Sequence, residues 1–144
     1  MKKQTTSAPT DRRSNCPINF ALELFGDKWT LLIVRDMLIF GKRTYGEFQA
    51  SPESIATNIL ADRLQRLEAA GLIESEGDPE NKRRTIYTLT AKGMDLGPIL
   101  TQMIIWSAKH DPHTVVSKKL LSKLESDPEA FLHEVRKRAA ASPT

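Results

Sequence analysis

The sequence contains a single cysteine and no apolar run of membrane-spanning length. Cys16 alone cannot form an intrachain disulfide or supply a multi-cysteine zinc or iron–sulfur site. No apolar run reaches the ~18 to 20 residues needed to cross a bilayer. Residues 1–14 are polar and lack the apolar stretch of a secretory signal. We therefore expect a cytoplasmic protein with no membrane association and no metal or other cofactor.

Glycine is scarce as well, with seven residues in 144. The chain has no glycine-rich phosphate loop, no Gly-x-Ser-x-Gly elbow and no paired-histidine metal motif. His110 and His113 lie on either side of Asp111, but Pro112 intervenes and no second cluster of metal ligands is evident. Surface histidines near a helix end are the better interpretation. The sequence argues against an enzyme.

The composition is that of a folded domain, with 40% hydrophobic and 27% charged residues. The length suits one domain with an appended segment. Lys and Arg exceed Asp and Glu by 21 − 18 = 3, which is compatible with nucleic-acid binding but too small to prove it. The positions of the charges are therefore more informative than their sum.

Apolar periodicity predicts a series of helices interrupted by one hairpin. Residues 1–15 have no such periodicity and are predicted to be a mobile arm. The predicted helices span residues 16–25, 28–40, 44–50, 55–70, 91–109, 117–125 and 128–140. The helix 28–40 is apolar on nearly every side and should be the buried central one.

Local signals predict where several of these elements begin and end. Asp27 should cap the central helix, Thr44 and Glu47 have capping-box spacing, and Gly71 should terminate the helix 55–70. Pro98 should kink the helix 91–109 or mark its true start. The hairpin strands are predicted at Leu72–Glu76 and Thr85–Leu89, joined by a long loop over residues 77–84.

Three helices, a hairpin and a further helix form the element order of a winged helix-turn-helix. We predict a mainly α fold with a small antiparallel β-hairpin that dimerises through its terminal helices. The predicted parts are the arm (1–15), the winged helix-turn-helix domain (16–110) and a C-terminal helical extension (111–144). In this architecture the helix that precedes the hairpin enters the DNA major groove.

The helix 55–70 has one leucine face and one polar face. Leu60, Leu64 and Leu67 should face the core. Polar side chains on the other face can reach base edges or phosphates, although a merely solvated face has a similar composition. The candidate contacts on and beside that face are Asn58, Ala61, Asp62, Arg63, Gln65, Arg66 and Ala69.

The predicted hairpin loop carries three adjacent cations, Lys82, Arg83 and Arg84. Such a cluster suits phosphate contact or insertion of an arginine into a narrow minor groove. Taken alone it is usually just solvated charge. Its position one strand after the polar helix is where the wing of this architecture lies.

Several motifs together resemble the HxlR-type regulators, bacterial winged-helix transcription factors related to the MarR group. The resemblance covers about residues 16–109. It is carried by Cys16-Pro17, Gly26-Asp27-Lys28-Trp29-Thr30-Leu31-Leu32-Ile33, Arg63-Leu64, Leu67-Glu68, Ala70-Gly71-Leu72-Ile73, Tyr87-Thr88-Leu89-Thr90, Lys92-Gly93, Pro98 and Trp106.

The resemblance implies a homodimer that binds a pseudo-palindromic operator in double-stranded DNA and represses or activates nearby genes. It places the reading helix at residues 57–70, with Thr57 at its start, and the wing arginine at Arg84. A Ser/Thr-Pro start is common in the family, whereas Ala56-Thr57 stand here, so Ser54 or Thr57 is the candidate N-cap. Asp62 would repel phosphate, so it would select a cytosine amino group or lie off the groove.

The helices 16–25 and 91–109 carry more apolar surface than a domain of this size can bury. We therefore expect them to pair with a second chain through Ile18, Leu22, Ile99, Met103 and Trp106. A two-fold dimer would place its reading helices about 34 Å apart, one turn of DNA.

Cys16 is a candidate redox sensor because thiols beside a helix N-terminus and cations, here Arg12 and Arg13, react more readily with oxidants and electrophiles. The resemblance supports this, since some members of the family sense such stress through a cysteine at this place. The alternative is a small apolar residue that packs in the dimer core.

Protein–protein or RNA binding without DNA specificity is the alternative function for this architecture. Such winged-helix modules usually lose the basic wing and the polar reading face, whereas this sequence has both. We therefore predict a sequence-specific, DNA-binding transcriptional regulator.

Overall fold

The structure, a computed structural model, describes residues 12–140. The elements in that part of the chain are, in order, α1 (Pro17–Phe25), α2 (Thr30–Leu38), α3 (Tyr45–Gln49), α4 (Thr57–Ala69), β1 (Ile73–Asp78), β2 (Asn81–Leu89), α5 (Ala91–Met94), α6 (Gly97–His110), α7 (Lys118–Ser126) and α8 (Pro128–Ala140). The predicted fold, mainly helical with one antiparallel hairpin, is confirmed. Residues 1–11 of the predicted arm and residues 141–144 of the predicted extension lie outside the described part.

Short-range signals in the sequence set several of the helix ends. The Asp27 carboxylate accepts hydrogen bonds from the backbone N–H groups of Trp29 and Thr30 at 3.0 and 3.1 Å. The N-cap residue of α2 is nevertheless Trp29 and not the predicted Asp27, and α2 begins two residues later than predicted. Thr44 and Glu47 form the predicted capping box at the start of α3. Gly71 follows α4 with a φ of 78°, a conformation that favours glycine.

The segment that contains Pro98 is divided into two helices. Thr90 caps α5 by accepting a hydrogen bond from the Gly93 N–H. Pro98 occupies the first turn of α6, where its missing N–H costs nothing. The helix predicted over residues 91–109 therefore has a late true start, which is one of the two outcomes expected from Pro98.

The helix α2 lies at the centre of the core, as predicted. Ile33, Val34, Met37 and Leu38 are buried there. Side chains from the other elements complete the same cluster: Phe48, Leu60, Leu64, Leu67, Leu72, Ile73, Leu89, Leu96, Leu100, Leu124, Phe131, Leu132, Val135 and Ala139.

The hairpin is longer and its loop shorter than predicted. β1 and β2 pair antiparallel from Ile73↔Leu89 to Gly77↔Thr85, and Asp78↔Asn81 pair beyond a register shift. The expected long loop over residues 77–84 is therefore wrong: only Pro79 and Glu80 separate the strands. The sequence did not reveal this because the ladder consists of backbone hydrogen bonds, which exposed polar residues make as well as apolar ones.

The two helices predicted after residue 111 are present as α7 and α8. Phe131, Leu132 and Val135 of α8 are buried in the same core as the winged helix-turn-helix elements, and α8 contacts α2, α6 and β2. A Cβ added at Gly97 of α6 would lie 2.7 Å from Leu132 Cδ2. The division at residue 110 stays a prediction, but α8 contributes directly to the core.

We predict that Leu132→Ala lowers the free energy of unfolding by about 2–4 kcal/mol, because it leaves a cavity between α8 and α6. The measurement is urea denaturation followed by circular dichroism. His133→Ala alters the next, exposed residue and should change stability by less than about 0.5 kcal/mol. Equal effects of the two substitutions would show that α8 does not support the core.

Candidate nucleic-acid interface

The helix α4 presents a polar face to solvent. Its leucines at positions 60, 64 and 67 are buried, as predicted, so the residues opposite them point outward. Thr57, Asn58, Ala61, Gln65 and Arg66 are exposed. The outward face therefore combines small, amide and hydroxyl side chains with one exposed arginine.

The start of α4 differs from both alternatives considered for its N-cap. Ala56 is the N-cap residue and makes no side-chain capping bond. Neither Ser54 nor Thr57 takes that role, because Thr57 Oγ1 accepts a hydrogen bond from Gln49 Nε2 at 3.1 Å and Ser54 lies outside the helix with a φ of 59°. The first-turn amides of α4 therefore have no side-chain cap, which suits contact with an anion.

An ion-pair cluster holds the turn that leads into α4. Arg35 donates to Glu53 at 2.7 and 2.9 Å and to Asp36 at 2.8 and 3.0 Å. The hydrogen bonds that Arg35 donates to Glu53 raise the pKa of Arg35, against the opposing effect of burial. Ser51 Oγ donates to the buried Asp36. Sequence analysis did not identify this cluster, although the charged pair Arg35-Asp36 inside an apolar helix was a usable signal.

A second set of ion pairs joins α4 to the start of α2. Arg63 Nε lies 2.8 Å from Asp27 Oδ2, and Arg63 NH1 lies 2.5 Å from Asp62 Oδ2. Arg66 Nε lies 3.0 Å from the same Asp62 oxygen. Burial acts to raise the pKa of Asp27, but hydrogen bonds from Thr30, Arg63 and the backbone outweigh it and lower that pKa to about 2.

The hairpin cations lie on β2 beside the turn and not in a loop. Lys82, Arg83 and Arg84 are exposed and occupy the register shift between Gly77↔Thr85 and Asp78↔Asn81. Arg84 donates to Asp78 Oδ2 at 2.6 and 2.9 Å. The hydrogen bond from the Glu80 N–H and the contact with Arg84 lower the pKa of Asp78. Arg84 thus stabilises the turn through Asp78, while Lys82 and Arg83 are exposed beside it.

Cys16 is exposed and immediately precedes α1. Arg13, three residues earlier in the chain, donates to Asn19 Oδ1 at 2.8 Å, and its Nε lies 3.6 Å from Glu23 Oε2. His110 contacts the Trp106 ring at 5.0 Å between centroids. Within residues 12–140 no three His, Cys, Asp or Glu side chains are grouped as a metal site.

The five residues predicted to mediate dimerisation are all exposed large hydrophobic side chains, between 39% and 70% accessible: Ile18, Leu22, Ile99, Met103 and Trp106. Phe20, Phe40 and Val115 are exposed too and were not predicted. Phe40 and Val115 border an apolar groove of about 510 Å³ between α2, α6 and residues 114–116. Across residues 12–140 no helix combines the length and apolar character needed to span a bilayer.

A helix-turn-helix followed by a cationic hairpin, with an outward polar face on the second helix of the pair, defines a winged helix-turn-helix protein. Residues 24–115 match the family model for the HxlR-like helix-turn-helix. The chain belongs to this family, and it is a transcriptional regulator of HxlR type.

Individual relatives agree with this assignment. An uncharacterised HTH-type transcriptional regulator, sll1512 of Synechocystis, is 35% identical over 61% of this chain and 64% of its own length. The redox regulator HypR in its oxidised form superposes with a TM-score of 0.58, at 32% identity over 66% of this chain and 97% of HypR. Reduced YodB from Bacillus subtilis gives a TM-score of 0.56, at 30% identity over 69% of this chain and 98% of YodB.

Asp27→Asn should destabilise the protein by about 1–2 kcal/mol at pH 7, because it removes a charged cap and the partner of Arg63. The pKa of Asp27 is about 2 in the folded protein against 3.8 for an ordinary aspartate. The stabilisation by Asp27 is therefore complete above about pH 4 and is lost as the pH falls through 2.

The measurement compares the urea denaturation of wild type and Asp27→Asn at pH 7, 4 and 3. The difference in stability should shrink as the pH falls. Asp95→Asn replaces an exposed aspartate and serves as the control, with little effect expected at any of these pH values. A difference at pH 3 as large as that at pH 7 would contradict the assigned role of Asp27.

Proposed function

We propose that this protein binds double-stranded DNA sequence-specifically, with α4 in the major groove and the hairpin on the adjacent backbone. The observation that carries this proposal is the outward face of α4. Asn58 and Gln65 offer amide groups that can pair with base edges, and Ala61 between them lets the helix approach closely. Thr57 lies at the end of the helix that enters a groove first.

The hairpin supplies the sequence-independent part of the interaction. Lys82 and Arg83 are exposed beside the turn, where they can neutralise phosphates. Arg84 pairs with Asp78 at 2.6 Å across the register shift of the hairpin, and its side chain is 52% exposed. A protein-binding module would need neither these cations nor a polar helix face.

DNA binding should depend strongly on salt. With six or more phosphate contacts, the affinity should fall ~10³-fold or more between 50 and 200 mM salt. Lys82→Ala should weaken binding to all duplexes alike and make the salt dependence shallower by about 0.9 in log–log slope. Asn58→Ala or Gln65→Ala should instead reduce the preference for one sequence.

The measurement is fluorescence anisotropy on a duplex selected from a random pool with the wild-type protein, compared with a scrambled duplex of the same length. Lys119→Ala, an exposed lysine on α7, is the matched control and should bind like the wild type. Salt-independent binding, or an equal affinity for both duplexes, would favour the protein–protein module.

We further propose that the active form is a homodimer that binds a pseudo-palindromic operator. The exposed large apolar side chains on α1 and α6 support this, because clustered apolar side chains on a protein surface often mark a protein–protein interface. One protomer supplies one reading helix, and a two-fold axis adds a second helix about one DNA turn away. Repression and activation remain equally compatible with this geometry.

Light scattering at micromolar concentration should give twice the chain mass of 16.2 kDa. Trp106→Glu should shift the protein towards the monomer, since it places a charge in the apolar patch. Ser122→Glu on the exposed face of α7 is the control and should remain dimeric. A monomeric wild type would contradict the proposed dimer.

We also propose that oxidants or electrophiles regulate DNA binding through Cys16. Its exposure before α1 makes the thiol accessible, and the similarity to the redox regulator HypR supports the idea. Oxidation would act at the same end of α1 as Ile18, within the proposed dimer surface.

Diamide or a quinone should release DNA from the wild type, and Cys16→Ser should prevent that release. The readout is anisotropy before and after treatment and after reduction with dithiothreitol. Ser14→Cys in the Cys16→Ser background keeps one thiol nearby and tests whether the position matters. Unchanged release from Cys16→Ser would exclude this mechanism.

A further inference from the structure

We propose that Asp62 and Arg63 position the interface and that Arg66 is the arginine of α4 that contacts DNA. All three were candidate DNA contacts, but the geometry gives them different roles. Arg63 ties α4 to the start of α2, and Asp62 orients Arg66. This inference rests on the proposed DNA binding and specifies how that site obtains its specificity.

Arg63 is committed to two carboxylates within the protein. Its Nε donates to Asp27 at 2.8 Å and its NH1 to Asp62 at 2.5 Å. The Arg63 side chain is only 16% exposed. To reach a phosphate, the guanidinium would have to leave a partly buried, charge-assisted contact, and such contacts are among the stronger ones in proteins.

The Asp27 end of this link is itself held by α2. Its carboxylate accepts from the N–H groups of Trp29 and Thr30 and from Thr30 Oγ1. A carboxylate with four donors cannot turn without losing several hydrogen bonds at once. Arg63 therefore joins α4 to the first turn of the buried central helix. This link hinders rotation of α4 about its own axis and so keeps the polar face turned outward.

Asp62 acts on the other side of Arg63. Its Oδ2 lies 3.0 Å from Arg66 Nε, in the i, i+4 arrangement that suits a helix surface. The Arg66 side chain is 68% exposed. Because Arg66 approaches Asp62 through its Nε, the four N–H donors of the two terminal NH₂ groups remain for an outside acceptor.

The charges of this group cancel. The net charge of the four side chains is zero, because the group contains two arginines and two aspartates: Asp27, Asp62, Arg63 and Arg66. A neutral cluster adds little non-specific attraction to phosphate, which is left to Lys82 and Arg83. A guanidinium that an ion pair keeps beside the helix surface can instead pair with base-edge acceptors such as the O6 and N7 atoms of guanine.

Asp62→Asn gives the sharpest test because the two explanations predict opposite changes in the affinity for the selected duplex. If Asp62 were only an acid near phosphate, its removal would tighten binding to every duplex. As a positioning residue, its removal should weaken binding to the selected duplex ~10-fold and leave the scrambled duplex within about twofold. Glu68→Gln removes the same charge from an exposed position on α4 and is the matched control, which should not weaken binding to the selected duplex.

Arg63→Gln and Arg66→Gln separate the two arginines by salt dependence, measured on the selected duplex. Arg66→Gln should lose the preference for the selected duplex, because it removes a base contact. A slope shallower by about 0.9 with the preference retained would show a phosphate contact and would contradict the role of Arg66 in specificity. Arg63→Gln should lower affinity for the selected duplex with an unchanged slope. Its effect on the affinity should not add to that of Asp27→Asn, since both substitutions break the same link between Arg63 and Asp27.

Arg63→Lys keeps the charge but cannot bridge both carboxylates, so it should resemble Arg63→Gln and serves as a second variant. Thermal midpoints are measured for all variants, with binding compared well below them. Tighter binding by Asp62→Asn, or a shallower slope for Arg63→Gln, would overturn this inference while DNA binding stands. A wild type that binds no duplex would overturn the proposed function itself.

Discussion

Burial of Leu60, Leu64 and Leu67 determines which side of α4 can meet another molecule. These side chains lie against the core built on α2, so the rotation of α4 about its own axis is set by packing. Gly71, with a φ of 78°, then turns the chain directly into the hairpin. The polar helix face and the cationic strand are therefore brought to neighbouring positions by one packed helix and one short connection.

Features that depend on neighbouring residues were predictable from the sequence. The leucine spacing identified the buried side of α4, and the capping box at Thr44 and Glu47 is present. The predicted ends of α4 lie within two residues of the observed ones. Capping and amphipathic patterns succeed because the side chains that form them are at most one or two helical turns apart.

Features that join distant parts of the chain were not predictable. Asp27 and Arg63 are 36 residues apart, and Arg35 and Glu53 are 18 apart, so nothing in the local pattern pairs them. The position of Arg63 on the flank of α4 predicted a DNA contact, and its two carboxylate partners became evident only from the fold. The length of the hairpin was not predictable for another reason. Its outer part is held by backbone hydrogen bonds, which leave no pattern in the side chains.

We propose that DNA covers the outward face of α4 and the neighbouring hairpin. Backbone amide NMR shifts of the protein, recorded with and without a duplex selected by it, test this directly. The account predicts that the largest changes fall in residues 57–69 and 79–86, with little change across α7 and α8. Changes concentrated on α7, α8 or the apolar groove, with α4 unaffected, would contradict it.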